Sequence, residues 1–384
     1  MRSAMLLSNS FRPDPRVLKE AKGLAGRDHQ VSIICWDRAN ELAPYESPCS
    51  GVEVIRVQGI PSTYGLGASQ VTRLLRFWLA AFPILNEKKP DIVHCHDFDT
   101  LPAGLLWGKF HHKPVIYDAH EHYADLVKPR LKGFTGRILY RWITRIELMG
   151  ARISSAIITV DEILADIFLK QNKNVVIIGH YPEISMAREA ALVLRHPDLR
   201  LVYVGRLSSD RGILTYTDLV RGLRQLGIPA RLTLAGVFTP PPEQTLLLAS
   251  LQGIEDAIDL IGWLPYEHIP ALLQSCDIAL CVLSPEERYV KALPVKLFEY
   301  MACGLPVIAS NFPTIASIVG NVQCGALVEP QLGTQNIIRI VEDWWRNPDE
   351  ARRLGENGRQ AVLSRYNWER LVNRLDDLYQ SIVR

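Results

Sequence analysis

Two pairs of charged residues in the second half of the chain have the spacing to hold an anion. The first is Arg206 and Arg211 in VGRLSSDRG, where an apolar run over residues 201–204 gives way to Gly205, a polar loop and Gly212. Two fixed cations and the opening amides of the next helix converge there, a recipe for binding a diphosphate. The second pair is Lys296 and Glu299 in KALPVKLFEYMACGLPVIASN, residues 291–311. Three apart, they share a face near the first turn of a helix that Gly304 and Pro306 bring to an end. The positive end of a helix favours an anion and a carboxylate accepts hydroxyl protons, so a ligand carrying both phosphate and hydroxyls suits them. The first half offers imidazoles. DIVHCHDFDT places His94 and His96 on one face of a strand with Asp97 after them, and YDAHEHY places His120 and His122 just beyond another. No third ligand follows the first two histidines at a recognisable spacing, so a metal site is not expected.

These groups need strands whose carboxyl ends share one edge. Short apolar runs recur at 4–8, 31–35, 52–57, 91–95, 115–118, 156–160 and 175–178, then at 201–204, 230–235, 258–261, 277–282, 306–309 and 326–328. Helical patterns separate them, one opening at Pro15 and another over 70–85, with the last ones near 333–347, 348–364 and 368–383. Alternation of this kind predicts an α/β fold of parallel sheets with right-handed crossovers. In such sheets ligands bind beyond the strands' carboxyl ends, where each candidate residue falls. The first of these loops, SNSFRPDPR, lacks G-x-G-x-x-G and so disfavours a dinucleotide; Arg12 or Arg16 could supply charge there. Residues 181–197 lose periodicity and contain Pro182 and Pro197, which marks an interdomain linker.

A length of 384 residues suits two domains, and 48% hydrophobic content can fill two cores. Net charge is +2, but residues 1–195 hold 25 Lys and Arg against 20 Asp and Glu, while the remainder hold 18 against 21. An anionic partner is therefore expected at the first half. Seven cysteines without a C-x-x-C pair point to reduced thiols and a cytoplasmic protein. No run of 18 apolar residues is present, and the opening residues do not read as a secretion signal. Residues 128–152 (KPRLKGFTGRILYRWITRIELMGAR) carry seven basic residues, from Lys128 to Arg152, and one acid, Glu147. Interleaved with Phe134, Tyr140 and Trp142, they suit either an anionic membrane surface or a helix packing its apolar face on the sheet. A sequence pI of about 8.1 and no recognised module speak against nucleic acid.

LPVKLFEYMACGLPVIAS, GRLSSDRG and DIVHCHDFDTLPAG together resemble the retaining GT-B glycosyltransferases of family four, also called glycosyl transferases group 1. The resemblance covers nearly all of the chain. It implies that Glu299, the second acid of a Glu-x7-Glu pair, holds the donor's ribose; the first would stand at position 291, where this chain has Lys291. Lys291 and Lys296 then turn to phosphate or sugar, and Arg206 and Arg211 clamp the diphosphate. The backbone amides of Leu293, Val295 and Lys296 approach the donor, since Pro294 has none. Gly262 and Trp263 lie by its base. His120 sits by the reacting carbon, catalytic together with Arg206, Arg211 and Glu299, and His96, Asp97 and His122 line the acceptor side.

The same resemblance implies a GT-B architecture of two Rossmann-like domains facing across a cleft, the C-terminal helix crossing back to the first. Residues 1–185 with about 366–384 would form the acceptor domain and 198–365 the donor domain. The implied activity is transfer of a sugar from a UDP- or GDP-sugar to a glycan or lipid-linked hydroxyl. The donor is a co-substrate, with no tightly bound cofactor and no metal. Two other readings are a GT-B-fold UDP-sugar epimerase and a nucleotide-sugar-binding protein without turnover.

Overall fold

Continuous apolar runs of four to seven residues cannot show a face to water, and here they become strands covered by helices on both sides. The computed structural model describes residues 1–12, 14–62, 68–128, 131–187 and 197–383. The chain divides into two compact units, Met1–His180 with Leu371–Arg384, and Tyr181–Arg370.

The first unit holds β1 (Arg2–Leu7), β2 (Gln30–Trp36), β3 (Tyr45–Cys49), β4 (Val52–Val57), β5 (Ile92–His96), β6 (Val115–Ala119), β7 (Ala156–Thr159) and β8 (Val175–Ile177). Their order across the sheet is β3-β4-β2-β1-β5-β6-β7-β8. All neighbours run parallel except β3, which pairs antiparallel with β4. Sequence patterning does not find β3, because YESPC contains Pro48 and lacks apolar alternation; an edge strand tolerates both. The order reverses between β1 and β5. Trp36, Phe77, Tyr117 and Phe168 fill the core around them.

The second unit holds β9 (Leu199–Val204), β10 (Ala230–Ala235), β11 (Ile258–Gly262), β12 (Ile278–Cys281), β13 (Val307–Ser310) and β14 (Gly325–Val328), in the order β11-β10-β9-β12-β13-β14. Every neighbouring pair is parallel. This is the 3-2-1-4-5-6 order of a Rossmann sheet, with its reversal between β9 and β12. At that point β12 pairs with β9 at Ile278–Leu201 and Ala279–Val202. Nearer the carboxyl ends, buried phenols take over the backbone hydrogen bonds. The Val204 amide donates to Tyr300 Oη at 3.0 Å, and Tyr216 Oη accepts from the Val282 amide at 2.9 Å. The strand ends therefore separate with both of these amides still paired.

The division falls after His180 and before Leu371, rather than at 185 and 366. Local bonding accounts for it. The Trp368 amide donates to Pro182 O at 2.8 Å, Glu369 accepts from the Ile184 amide at 2.9 Å, and Tyr181 packs on Phe298 and Tyr366. The last helix, Trp368–Val383, thus starts in the second unit and belongs to the first from Leu371 on, where Tyr379 is fully buried. Most of the expected linker, residues 188–196, lies outside the described residues.

Candidate active site

In the second unit, three cations gather at the carboxyl end of β9. Gly205 follows the strand at φ 135°, its amide held by Ala235 O at 2.8 Å. A Cβ there would stand 2.8 Å from Lys296 Nζ, so only glycine lets the ammonium this close. Arg206 comes next. It is exposed, and among the described residues its guanidinium has no hydrogen bond or ion pair. Arg211 donates from Nε to Tyr289 Oη at 3.3 Å, and Tyr289 donates in turn to Asp210 at 2.7 Å. Asp210 is occupied by Arg288 at 2.6 Å. Gly212 (φ 82°) then starts the helix Ile213–Gln225; a Cβ at this position would collide with Val282 O.

Lys296 lies in the helix Val295–Ala302, only 8% exposed, with Nζ 3.7 Å above the Tyr203 ring and no hydrogen-bond partner among the described residues. Burial, offset in part by Cys281 and Glu299, brings its pKa down to about 7. Glu299, one turn on and also buried, is bonded by the Tyr266 hydroxyl, whose pKa burial and that carboxylate push far up. Pro294 precedes the helix in extended backbone without a side-chain cap, so the amides of Val295 and Lys296 have no partner within the helix; Leu293 sits just before. Lys291 is placed differently. It is exposed and pairs with Glu287 at 2.7 Å, one turn away. Gly262 (φ 75°) has open space where a Cβ would be, and Trp263 is exposed.

In the first unit the fold draws the histidines into one buried chain. His94 and His96 do share a face of β5, with rings stacked at 4.3 Å. His96 Nδ1 lies 3.0 Å from Asp118 Oδ2 and 3.3 Å from His120 Nε2. His120 Nδ1 lies 3.2 Å from His180 Nε2. Burial takes His120 down to about 4, so the ring is neutral near pH 7. Asp97, at φ 63°, is raised to about 6, by burial first. His122 lies between two carboxylates. Its Nδ1 is 3.0 Å from Asp125 and its Nε2 3.5 Å from Glu147, at the start of the helix Tyr123–Val127. Of the first-loop arginines, Arg16 is held by Asp14 and Arg12 by Glu41.

Glu20, Asp118, His180, Tyr266 and Tyr289 are absent from the sequence-based set. They come from separate elements, and only Asp118, two residues before His120, shares a local spacing with a candidate residue it touches. The lack of a third ligand near His94 and His96 does not hold in the fold, since Glu20 of the helix Pro15–Ala25 and Asp118 of β6 arrive beside them.

Residues 16–180 match the model of Glycosyltransferase Family 4, and residues 186–361 that of Glycosyl transferases group 1. The chain belongs to the group 1 glycosyltransferases. This glycosyltransferase is 25% identical over 304 residues to the glycogen synthase of Mycobacterium tuberculosis (strain CDC 1551 / Oshkosh), covering 77% of this chain and 70% of that protein. Its fold is that of GT-B enzymes. Sucrose-phosphate synthase from Thermosynechococcus elongatus superposes with a TM-score of 0.79 at 19% identity, over 100% of this chain and 99% of that one. Anabaena Alr3699/HepE in complex with UDP-glucose gives 0.69 at 16%, over 99% of both chains. Among its described residues, no helix is long and apolar enough to cross a membrane.

Proposed function

We propose that this glycosyltransferase moves a sugar, with retention, from a UDP- or GDP-sugar to the hydroxyl of a glycan or lipid-linked acceptor. The observation that carries the reading is the gathering of Arg206, Arg211 and Lys296 at the carboxyl end of β9, none ion-paired with a described carboxylate, with Glu299 on the same helix as the lysine. The bond from the anomeric carbon to phosphate breaks, the acceptor oxygen bonds to that carbon, and the acceptor proton passes to the departing phosphate oxygen. The three cations stabilise the charge that develops on the diphosphate, so neither a carboxylate nucleophile nor a metal is required. Glu299 accepts from ribose hydroxyls, and His120 is the residue assigned to the reacting groups. The neighbour solved with UDP-glucose supports a uridine nucleotide as donor.

Calorimetry with UDP-, GDP- and ADP-sugars tests this. One of them binds, and product forms only when an acceptor is added; failure of all three to bind overturns the reading, and an epimer formed from donor alone would make the enzyme an epimerase. The pH dependence adds a signature. Lys296 binds the diphosphate when protonated and titrates near 7 in the free protein. Affinity therefore falls as pH rises above about 7, up to about tenfold per unit, and binding at pH 8 takes up a proton. Lys296→Met removes the uptake. An uptake that persists in the variant assigns the proton elsewhere.

The helix Gly133–Ile153 supports an anionic membrane surface as a further partner, at the cytoplasmic face. Glu147, Gly150 and Ala151 point inward, whereas Phe134 (70% exposed), Ile138, Trp142 (57%), Ile146 and Met149 line the outer side at three- and four-residue spacing. Arg137, Arg141 and Arg145 flank them. Each arginine near an anionic surface contributes about 1 kcal/mol, so the protein sediments with phosphatidylglycerol vesicles and not with phosphatidylcholine ones. Arg137→Glu with Arg141→Glu abolishes sedimentation; equal recovery on both vesicles would remove the membrane from the account.

A further inference from the structure

Four side chains of the first unit meet beside His120, and three of them, Glu20, His94 and Asp118, have no task in the proposed transfer. Glu20 comes from the helix Pro15–Ala25, His94 and His96 from β5, and Asp118 from β6. One ligand atom from each lies within 4.8 Å of all the others. All four residues are at least nine-tenths buried, so the cluster is closed to water. Yet Glu20 Oε2, His94 Nε2 and Asp118 Oδ2 make no geometrically sound hydrogen bond, although such atoms are costly to leave unpaired when buried.

We propose that Glu20, His94, His96 and Asp118 form a binding site for one divalent transition-metal ion, zinc by preference. Two imidazole nitrogens and two carboxylate oxygens are a familiar borderline donor set for that ion. Metal bonds of about 2.0–2.1 Å at tetrahedral angles separate the ligand atoms by about 3.4 Å. The separations here bracket that value. Asp118 Oδ2 is 3.3 Å from His94 Nε2 and 3.0 Å from His96 Nδ1, and Glu20 Oε2 is 4.0 Å from His94 Nε2. Charge also balances, since two carboxylates and two neutral imidazoles leave no net charge around a dication.

The surroundings orient the set. His94 Nδ1 lies 2.7 Å from Tyr379 Oη, which directs Nε2 to the centre, as outer partners do for ligating histidines. Tyr379 lies on the C-terminal helix, so that segment completes the site after the chain has returned to the first unit. Being closed, the site holds the ion as a structural element. It fixes the ring of His96, and with it the spacing to His120.

Metal analysis of untagged full-length protein, made in zinc-supplemented medium and purified without chelator, tests the site. Wild type carries close to one zinc per chain. Glu20→Gln with His94→Gln carries none above background, and Asp118→Asn, a near-isosteric change, loses most of it. Cobalt supplied in place of zinc gives the visible absorption of a tetrahedral N/O site in wild type alone. Circular dichroism and thermal melting confirm that the variants compared are folded. The proposal is overturned if wild type is metal-free from both media, or if the double variant holds as much zinc as wild type. The four residues would then be a network that shares protons only.

Discussion

Arg206→Ala lowers kcat/KM for the sugar donor by about 10²–10³, the loss expected when one fixed donor to developing negative charge is removed. The melting temperature stays unchanged, because the guanidinium is exposed and has no partner among the described residues. Those two results together separate this residue from its neighbours. Arg211 also carries a hydrogen bond to Tyr289, and Lys296 a stacking contact with Tyr203, so truncating either mixes function with packing. Arg206→Lys retains the charge and loses the two-pronged geometry, and it falls between wild type and alanine. Wild-type turnover by Arg206→Ala would remove the diphosphate assignment at the carboxyl end of β9.

Glu147→Ala has the largest expected effect on stability. This carboxylate is fully buried within a helix whose other acidic and basic positions face out. It accepts from Tyr117 Oη at 2.9 Å and from the amides of Tyr123 and Ala124 at 2.9 and 3.1 Å. Burial raises its pKa, while His122 and those three donors act against the rise. Removing it strands three donors, two of them buried, at a cost of about 3 kcal/mol or more. For a unit of this size the melting temperature drops by roughly 6–12 °C, measured by calorimetry. Glu147→Gln, which still accepts, loses less. The damage also reaches function, because the segment it holds contains His122 and follows directly on His120. Should Glu147→Ala melt within a degree of wild type, the bonds it makes are not holding that segment.

Much of this enzyme could be read from its residues in order. Apolar runs separated by helical periods specify parallel α/β sheets, and Gly205–Gly212 and Val295–Gly304 specify a strand-to-helix turn and a capped helix, because these depend on neighbours a few residues apart. Strand β3 escaped for the opposite reason: its pairing with β4, not its own composition, makes it a strand. The same boundary runs through the site. Arg206, Arg211, Lys296 and Glu299 announce themselves by local spacing and by likeness to a family. Sequence alone does not show that Lys296 is buried over Tyr203, with its pKa near neutrality, or that Lys291 is paired outward with Glu287. Nor does it show that Glu20 and Asp118 reach the histidines of β5, because the chain separates them from His94 by 74 and 24 residues. Short-range order is written in the chain itself. Burial and the meeting of distant side chains depend on how helices and strands pack, and those decide protonation and the proposed metal site.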